Sequence, residues 1–344
     1  MIGRLLCIAL VSLLAGCAPQ PHKDGVIELS YGSPYPPTHQ FSQADIAWFA
    51  HVEALSGGRL KIKPYWGGTL LSSDNAVLEV AHGVVDIGLV TPIYSRAGMK
   101  TIKVQAGFYE GAHTPTEQAS VYKCLMRKYP VLAEEMRGVH VLAVQGGNLL
   151  HVLTRDQKVT RLQDLRGLRL RTPSEIAPLL QSIDADPVTM PMAEVYSALS
   201  KGMIDGVVAP GDTLRSQHFN EVARYVSMLV VPRGAYPARA ISEKAWARLP
   251  ADLRKVLDDS QTFWEAKLDE KVTAAEAVGL AFGKKEGQIF TQPEPGEQAA
   301  FDALYNKKSL EHAATLPKGY VDGVAMFHDA QAIVAEIRAG RPAC

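Results

Sequence analysis

The sequence lacks a net charge, because 36 Lys and Arg residues balance 36 Asp and Glu residues over its 344 positions. Proteins that bind nucleic acids or anionic membrane surfaces carry an excess or a cluster of positive charge, so the composition argues against both functions. With 47% hydrophobic and 21% charged residues, the chain has the composition of a soluble globular protein. Its length exceeds what one ordinary core needs and favours two domains.

The sequence also lacks the short motifs that mark common catalytic sites. It contains no Gly-x-Ser-x-Gly elbow, no Gly-rich phosphate loop with Lys-Ser or Lys-Thr, no His-Glu-x-x-His and no Cys-x-x-Cys. The ten histidines are scattered without metal-ligand spacing. We therefore predict no enzyme, no cofactor and no metal site, although a catalytic triad assembled from distant residues would leave no motif of this kind.

Cysteine is scarce, and two of the four cysteines lie near the N-terminus. Arg4 precedes an apolar run at residues 5–14 that is too short to span a membrane, so we predict a signal peptide over residues 1–16. Leu14-Ala15-Gly16-Cys17 is similar to a lipoprotein processing box. This similarity predicts that Cys17 is lipidated and that residues 17–25 form a tether to the membrane. Ordinary signal cleavage beside an incidental cysteine is the alternative.

Export would leave the other two cysteines, Cys124 and Cys344, in an oxidising compartment. A disulfide between them would fix the C-terminal tail to the body of the protein. A buried Cys124 with an unpaired Cys344 is equally consistent with the sequence, because sequence does not show whether two Cα atoms come within disulfide range.

The most regular pattern lies in residues 164–210. Leu168 and Leu170 alternate with Arg169 and Arg171, as in a strand with one buried face. Apolar residues at helical spacing follow at 176–183 and 195–203, with extended segments at 187–191 and 204–210. The order strand, helix, strand, helix, strand indicates βαβ units on a mostly parallel sheet.

The first part of the chain repeats this order. Residues 58–62 and 82–88 are similar to residues 167–171 and 201–206, which predicts two similar α/β domains with mostly parallel sheets around a ligand cleft. Gly146 and Gly147 form the predicted hinge, since glycines absorb large backbone changes. An uninterrupted helical pattern covers residues 251–282. The expected division is 26–146 plus about 233–270 for the first domain and 147–232 plus about 271–344 for the second.

Several motifs together resemble the core of the solute receptors of tripartite ATP-independent periplasmic (TRAP) transporters, in particular those of the dicarboxylate-receptor type. The motifs are Asp164-Leu165-x-Gly167-Leu168-x-Leu170-Arg171-x-Pro173, Met190-Pro191-x-x-Glu194-Val195-Tyr196-x-Ala198-Leu199 and Gly202-x-x-Asp205-Gly206. A looser similarity extends over residues 27–290. The resemblance implies a periplasmic-binding-protein-like fold, in which hinge strands and a long helix join the two domains.

The resemblance also implies a function. Arg171 would form a salt bridge with the carboxylate of a bound organic acid, for which the planar guanidinium is well suited. The expected protein is a monomeric lipoprotein of the periplasm or cell surface that passes its solute to small and large integral membrane subunits. A receptor that feeds a sensor kinase and an extracytoplasmic enzyme acting on a small acid are the alternatives.

The sequence departs from the family pattern where the solute is usually held. Residues 207–210 are Val-Val-Ala-Pro instead of a polar run with an asparagine, and Asn148 and His151 stand where a second arginine is usual. The candidate site is completed by aromatic residues that the resemblance places near the cleft: Tyr35, Trp66, Tyr94, Phe108 and Tyr236. One arginine facing an apolar wall favours a monocarboxylate with a branched or aromatic body.

Overall fold

The structure, a computed structural model, describes residues 25–317 and 319–344. The predicted signal peptide, the lipidation site Cys17 and the tether up to residue 24 lie outside the described residues. The described strands are β1 (Ile27–Gly32), β2 (Leu60–Tyr65), β3 (Ile87–Leu89), β4 (Val139–Gln145), β5 (Leu150–Thr154), β6 (Arg169–Arg171), β7 (Asp186–Val188), β8 (Gly206–Ala209), β9 (Tyr225–Val231), β10 (Tyr236–Ser242) and β11 (Ile289–Thr291).

The described helices are α1 (Gln40–Leu55), α2 (Ala76–His82), α3 (Lys100–Gln105), α4 (Pro115–Lys128), α5 (Val131–Glu134), α6 (Ala177–Gln181), α7 (Met192–Ser200), α8 (Thr213–Ser216), α9 (Glu243–Arg248), α10 (Ala251–Asp259), α11 (Gln261–Glu286), α12 (Glu297–Ala313) and α13 (Gly323–Arg338). None of these helices combines the length and the apolar character that crossing a bilayer requires.

The strands form two sheets. The first sheet has the order β2-β1-β3-β10-β4, in which β1 is parallel to β2 and β3, whereas β10 is antiparallel to β3 and β4. The second has the order β11-β9-β5-β8-β6-β7, in which β5 runs against both of its neighbours and the other pairs are parallel. The predicted class, α/β with mostly parallel sheets, is confirmed.

The chain passes between the sheets through two short connections. β4 of the first sheet continues through residues 146–149 into β5 of the second sheet. β9 of the second sheet continues through residues 232–235 into β10 of the first. Each sheet therefore has one reversed strand, and that strand is the one that arrives from the other sheet.

Alternation along the strands fills a core on each face of the second sheet. Val152 and Val208 point into one core, whereas Leu153 and Val207 point into the other. Both faces of these strands are therefore apolar, which explains why residues 206–209 form a continuous apolar run.

A buried ion pair joins four elements on the first sheet's side. Arg239 of β10 donates from Nε to Oδ1 of Asp45 in α1 at 2.7 Å, and both side chains are fully buried. Trp264 of α11 donates to the same oxygen at 2.8 Å, and Tyr31 of β1 donates to Oδ2. The charge of Arg239 is thus matched within the protein, as a buried cation requires.

The helical pattern over residues 251–282, predicted to be uninterrupted, is broken at Ser260, which separates α10 from the 26-residue α11. The Ser260 hydroxyl is buried, donates to the carbonyl oxygen of Leu257 and accepts from Trp48 Nε1, both at 2.7 Å. A serine hydroxyl bonded to the preceding turn competes with the regular helical ladder, which accounts for the break. α11 packs on α1 and β4 on one side and on α8 on the other, so it spans both sheets.

The C-terminal residues return to the first sheet. α12 packs on α6 and places Phe301 in a core of the second sheet, but α13 packs on α4 and places Phe327 in the core of the first. A disulfide joins Cys124 of α4 to Cys344, with the Cα atoms 5.8 Å apart. The apolar face of α13 is therefore buried on the first sheet's side, whereas the expected division, which stays a prediction, assigned residues 271–344 to the second domain.

Candidate functional site

A cavity lies between the two sheets, beside both connections. Its wall combines the start of α1, the turn after β3, both connections, the starts of α7 and α8, and one face of α11. Aromatic side chains form much of this wall, namely Tyr35, Phe41, Tyr94 and Tyr236. The main polar side chains are Gln40, Asn148, Asp212 and Arg233. The ends of strands from both sheets thus meet around one cavity, which is the usual location of a ligand site in such folds.

Arg171 ends β6 beside this cavity and is 1% exposed. Its Nε donates to the carbonyl oxygen of Met190 at 3.0 Å, and its Nη2 donates to the hydroxyl of Tyr94 at 2.7 Å. Unlike Arg239, it forms no ion pair with any described acidic side chain. Burial of a cation without a counter-charge is costly, so this guanidinium is suited to binding an anion.

The bond between Arg171 and Tyr94 crosses the cleft. Tyr94 ends a short 3₁₀ turn, Pro92–Tyr94, that follows β3 of the first sheet, whereas Arg171 belongs to the second. The guanidinium carbon lies 5.6 Å from the centre of the Tyr94 ring. This contact requires the two sheets to be close together.

Asp212 forms a second bond across the cleft. Its carboxylate accepts from Gln40 Nε2 at 2.5 Å and from Ser216 Oγ at 2.8 Å. Gln40 opens α1 on the first sheet's side, whereas Asp212 directly precedes α8 on the second. Burial raises the pKa of Asp212 to about 6, opposed by the Ser216 hydrogen bond and supported by the nearby Glu276 carboxylate.

Arg233 lies in the connection between β9 and β10, lines the cavity and is half-buried. Burial lowers its pKa, but Tyr236, Tyr94 and Asp212 together raise the pKa above its usual value, so the guanidinium stays charged. Like Arg171, it forms no ion pair within the described chain. The buried acid Glu175 is near both arginines, but burial raises its pKa and it is ion-paired to neither.

The structure brings most of the predicted site residues together. Tyr35, Tyr94, Tyr236 and Asn148 line the cavity. Asn148 donates to the carbonyl oxygen of Val272 in α11 at 2.7 Å. Arg171 reaches the edge of the cavity through Tyr94.

Three predicted site residues lie elsewhere, so their positions do not support a contact with ligand. Phe108 is fully buried in the core of the first sheet. Trp66 packs edge-on against Tyr31, with ring centres 5.6 Å apart. His151 is buried beneath α11, with Nε2 3.5 Å from Oε1 of Glu276. Phe108 and His151 fill interior space and Trp66 packs half-buried against the core, and the resemblance alone does not distinguish these positions from the cleft.

Sequence reasoning missed other lining residues, among them His39, Gln40, Met192, Asp212 and Arg233. Of these, Arg233 alone carried a visible signal, since it stands between a proline and a glycine where two apolar strands meet. His39 contributes no charge, because burial lowers its pKa to about 3. Within the described residues, no group of three His, Cys, Asp or Glu side chains is arranged to hold a metal ion.

Known proteins are similar to this chain in sequence or in fold. The 2,3-diketo-L-gulonate-binding periplasmic protein YiaO of Escherichia coli K12 is 26% identical over 277 residues, which are 76% of this chain and 80% of that protein. A TRAP solute-binding protein from Rhodoferax ferrireducens T118, solved with copurified benzoate, is 22% identical with a TM-score of 0.81, covering 92% of this chain and 99% of that one. A TRAP periplasmic solute-binding protein from Chromohalobacter salexigens, solved with bound D-glucuronate, is 17% identical with a TM-score of 0.76. The similarity covers 88% of this chain and 99% of that one.

The family model described as "Bacterial extracellular solute-binding protein, family 7" (DctP) matches residues 33–315, which include both sheets apart from β1. Members of this family are periplasmic solute receptors rather than enzymes. The two-sheet fold, the cavity between the sheets and the match over most of the chain agree with one another. The chain therefore belongs to the bacterial extracellular solute-binding proteins of family 7, the solute receptors of TRAP transporters.

Proposed function

We propose that this receptor captures a small organic acid by binding its carboxylate to Arg171, and that it delivers the acid to the small and large membrane subunits of a TRAP transporter. One observation carries the proposal: Arg171 is buried at the cleft, with no acidic partner among the described residues. A ligand carboxylate would supply the missing charge through two parallel hydrogen bonds from the guanidinium.

The ligand is a monocarboxylate with an aromatic or branched body. The wall offers Tyr35, Phe41 and Tyr94 to such a body, and apolar burial contributes about 25 cal/mol per Å². Two of the polar side chains are already engaged, because Gln40 bonds to Asp212 and Asn148 bonds to the α11 backbone. The hydroxyls of a sugar acid would find few unused partners, and each unpaired hydroxyl would lower affinity.

Solved relatives support an organic acid as the ligand, but the acids that they contain differ in the part beyond the carboxylate. The Rhodoferax protein was solved with benzoate and the Chromohalobacter protein with D-glucuronate, and both share the fold. The lining of this cavity favours the benzoate type. We also propose that two domains close around the acid by bending at the connections, and that lipid on Cys17 tethers the monomeric receptor to the membrane.

Calorimetric titration of Arg171→Ala tests the proposal. Loss of the guanidinium would leave a ligand carboxylate buried and unpaired, which costs about 3–5 kcal/mol, or roughly two to four orders of magnitude in affinity. Arg169→Ala is the matched control, because Arg169 lies on the same strand but is exposed and bonds to Asp186. Equal and small losses in both variants would contradict the role of Arg171.

A thermal-shift panel tests the ligand class on the wild-type protein. Benzoate, mandelate and branched monocarboxylates should raise the melting temperature, whereas dicarboxylates and sugar acids should not. Stabilisation by dicarboxylates or sugar acids alone would show that our interpretation of the wall is wrong.

A further inference from the structure

Arg233 occupies an unusual position for a charged residue. Its segment, residues 232–235, is one of the two connections between the sheets. Its guanidinium lies directly against Gly147 in the other connection: a Cβ atom at Gly147 would lie 2.5 Å from Cζ and 2.6 Å from Nη1 of Arg233. Gly147 in turn donates its backbone N–H to Oε1 of Gln118 at 2.8 Å. The side chain of Arg233 is therefore positioned by the connections themselves.

Position at the connections distinguishes Arg233 from Arg171. Residues close to a hinge axis move little when two domains rotate, whereas residues at the domain edges move far. Arg171 bonds to Tyr94 on the opposite sheet, and that bond exists only when the sheets are together. Arg233 and Gly147 both lie in the connections, so we expect their contact to persist when the sheets separate.

The electrostatic surroundings also favour an anion at Arg233. It is the cationic side chain that lines the cavity in the described structure, whereas Arg171 lies behind Tyr94. The nearby acid Asp212 is already hydrogen-bonded to Gln40 and Ser216 and does not form an ion pair with it. The guanidinium thus lines the cavity without an ion pair to any carboxylate of the described residues.

We propose that Arg233 is a second carboxylate-binding residue of the cleft, which contacts the incoming acid while the domains are apart, and that Arg171 joins the same carboxylate only on closure. This inference rests on the proposed function. The two guanidiniums would act in sequence. Arg233 would govern the rate at which the acid associates, and Arg171 would govern the rate at which it dissociates. Arg233 thereby supplies the second arginine whose usual position after the hinge is occupied by Asn148 and His151.

Stopped-flow binding of benzoate and mandelate, followed by tyrosine and tryptophan fluorescence, separates the two roles. We expect Arg233→Ala to lower the association rate constant by about tenfold or more, whereas Arg171→Ala should mainly raise the dissociation rate constant. Arg233→Lys, which keeps the charge but not the fork, should restore much of the association rate. Arg224→Ala is the control. Arg224 is exposed and directly precedes β9, at the opposite end of that strand from the connection that holds Arg233.

Gly147→Ala provides a second variant that keeps the arginine. The added methyl group would collide with the flexible end of Arg233 and displace it, at a position where Gly147 has no left-handed backbone requirement. We expect slower association in Gly147→Ala and no further slowing when Gly147→Ala is combined with Arg233→Ala. Additive losses in the double variant would assign the effect of Gly147→Ala to the backbone and not to Arg233.

The outcomes separate this inference from the proposed function. If the wild-type protein binds neither acid and none of the panel above, the proposed function fails and this inference fails with it. If the wild type binds and Arg171→Ala weakens binding, but Arg233→Ala associates at the wild-type rate, the proposed function stands and the role of Arg233 is refuted.

Discussion

Replacing Asp212 by asparagine should change the pH dependence of stability in a defined direction. The carboxylate is 4% exposed and bonded across the cleft to Gln40, and burial raises its pKa from 3.8 to about 6. Between these two pH values the folded protein binds a proton that the unfolded chain has lost. The free energy of unfolding therefore falls as pH rises from about 4 to about 6, and it is highest below that range as far as this residue alone is concerned.

The magnitude follows from the difference between the two pKa values. A difference of about two pH units corresponds to about 3 kcal/mol. Asp212→Asn removes this dependence, because the amide does not ionise. Its amide oxygen can still accept from Gln40 and Ser216, so the variant should be as stable as the wild type near pH 4 and more stable near pH 7, by about 3 kcal/mol at most.

Urea denaturation of both proteins at a series of pH values from 4 to 7 measures this difference. Asp156→Asn is the control, because Asp156 is exposed and its replacement should leave the curve unchanged. A difference between Asp212→Asn and wild type that stays constant over the whole range would refute the reasoning.

Two further predictions concern the core and the N-terminus. Arg239→Ala should lower the free energy of unfolding by about 3–5 kcal/mol, because Asp45 would be left buried without its partner. Arg248→Ala breaks the exposed pair with Asp86 and should cost less than about 1 kcal/mol. Urea denaturation compares the two variants, and equal losses of stability would contradict the argument. Lipidation at Cys17 predicts that the expressed protein sediments with membranes and that Cys17→Ser moves it to the soluble exported fraction, and a soluble wild-type protein would rule it out.

The class of fold could be predicted because it depends on periodicity. Leu170 and the apolar run at 206–209 indicated strands, and the βαβ order indicated a mostly parallel sheet, as found. The break at Ser260 could not be predicted, since it depends on a hydroxyl that meets Trp48, more than 200 residues earlier. The side on which α13 packs was equally hidden, because an amphipathic helix does not specify its partner. The expected division into two domains stays a prediction.

The site was less accessible to sequence reasoning than the fold. The resemblance named Arg171 and three tyrosines that lie at or beside the cavity, but it also named Phe108, which fills the core. An aromatic residue near a cleft and one beneath it look alike in sequence. Arg233 and Asp212 lie in connections without periodicity, and contacts between distant segments bring them to the cavity. Residues of this kind become visible only in three dimensions.

The exchange of strands between the two sheets has a consequence for how the chain can fold. β4 pairs only with β10 among the described strands of the first sheet, and β10 follows β4 by about ninety residues that build most of the second sheet. During synthesis the first sheet therefore stays incomplete, with β4 unpaired, until residue 242 has been made. Contacts that span so much sequence close slowly, because a long loop must be ordered before they form. The two sheets are thus separate in space, but the first cannot be completed until most of the second has been synthesised. A fragment ending at the first connection would lack β10, the strand that joins β4 to the rest of its sheet.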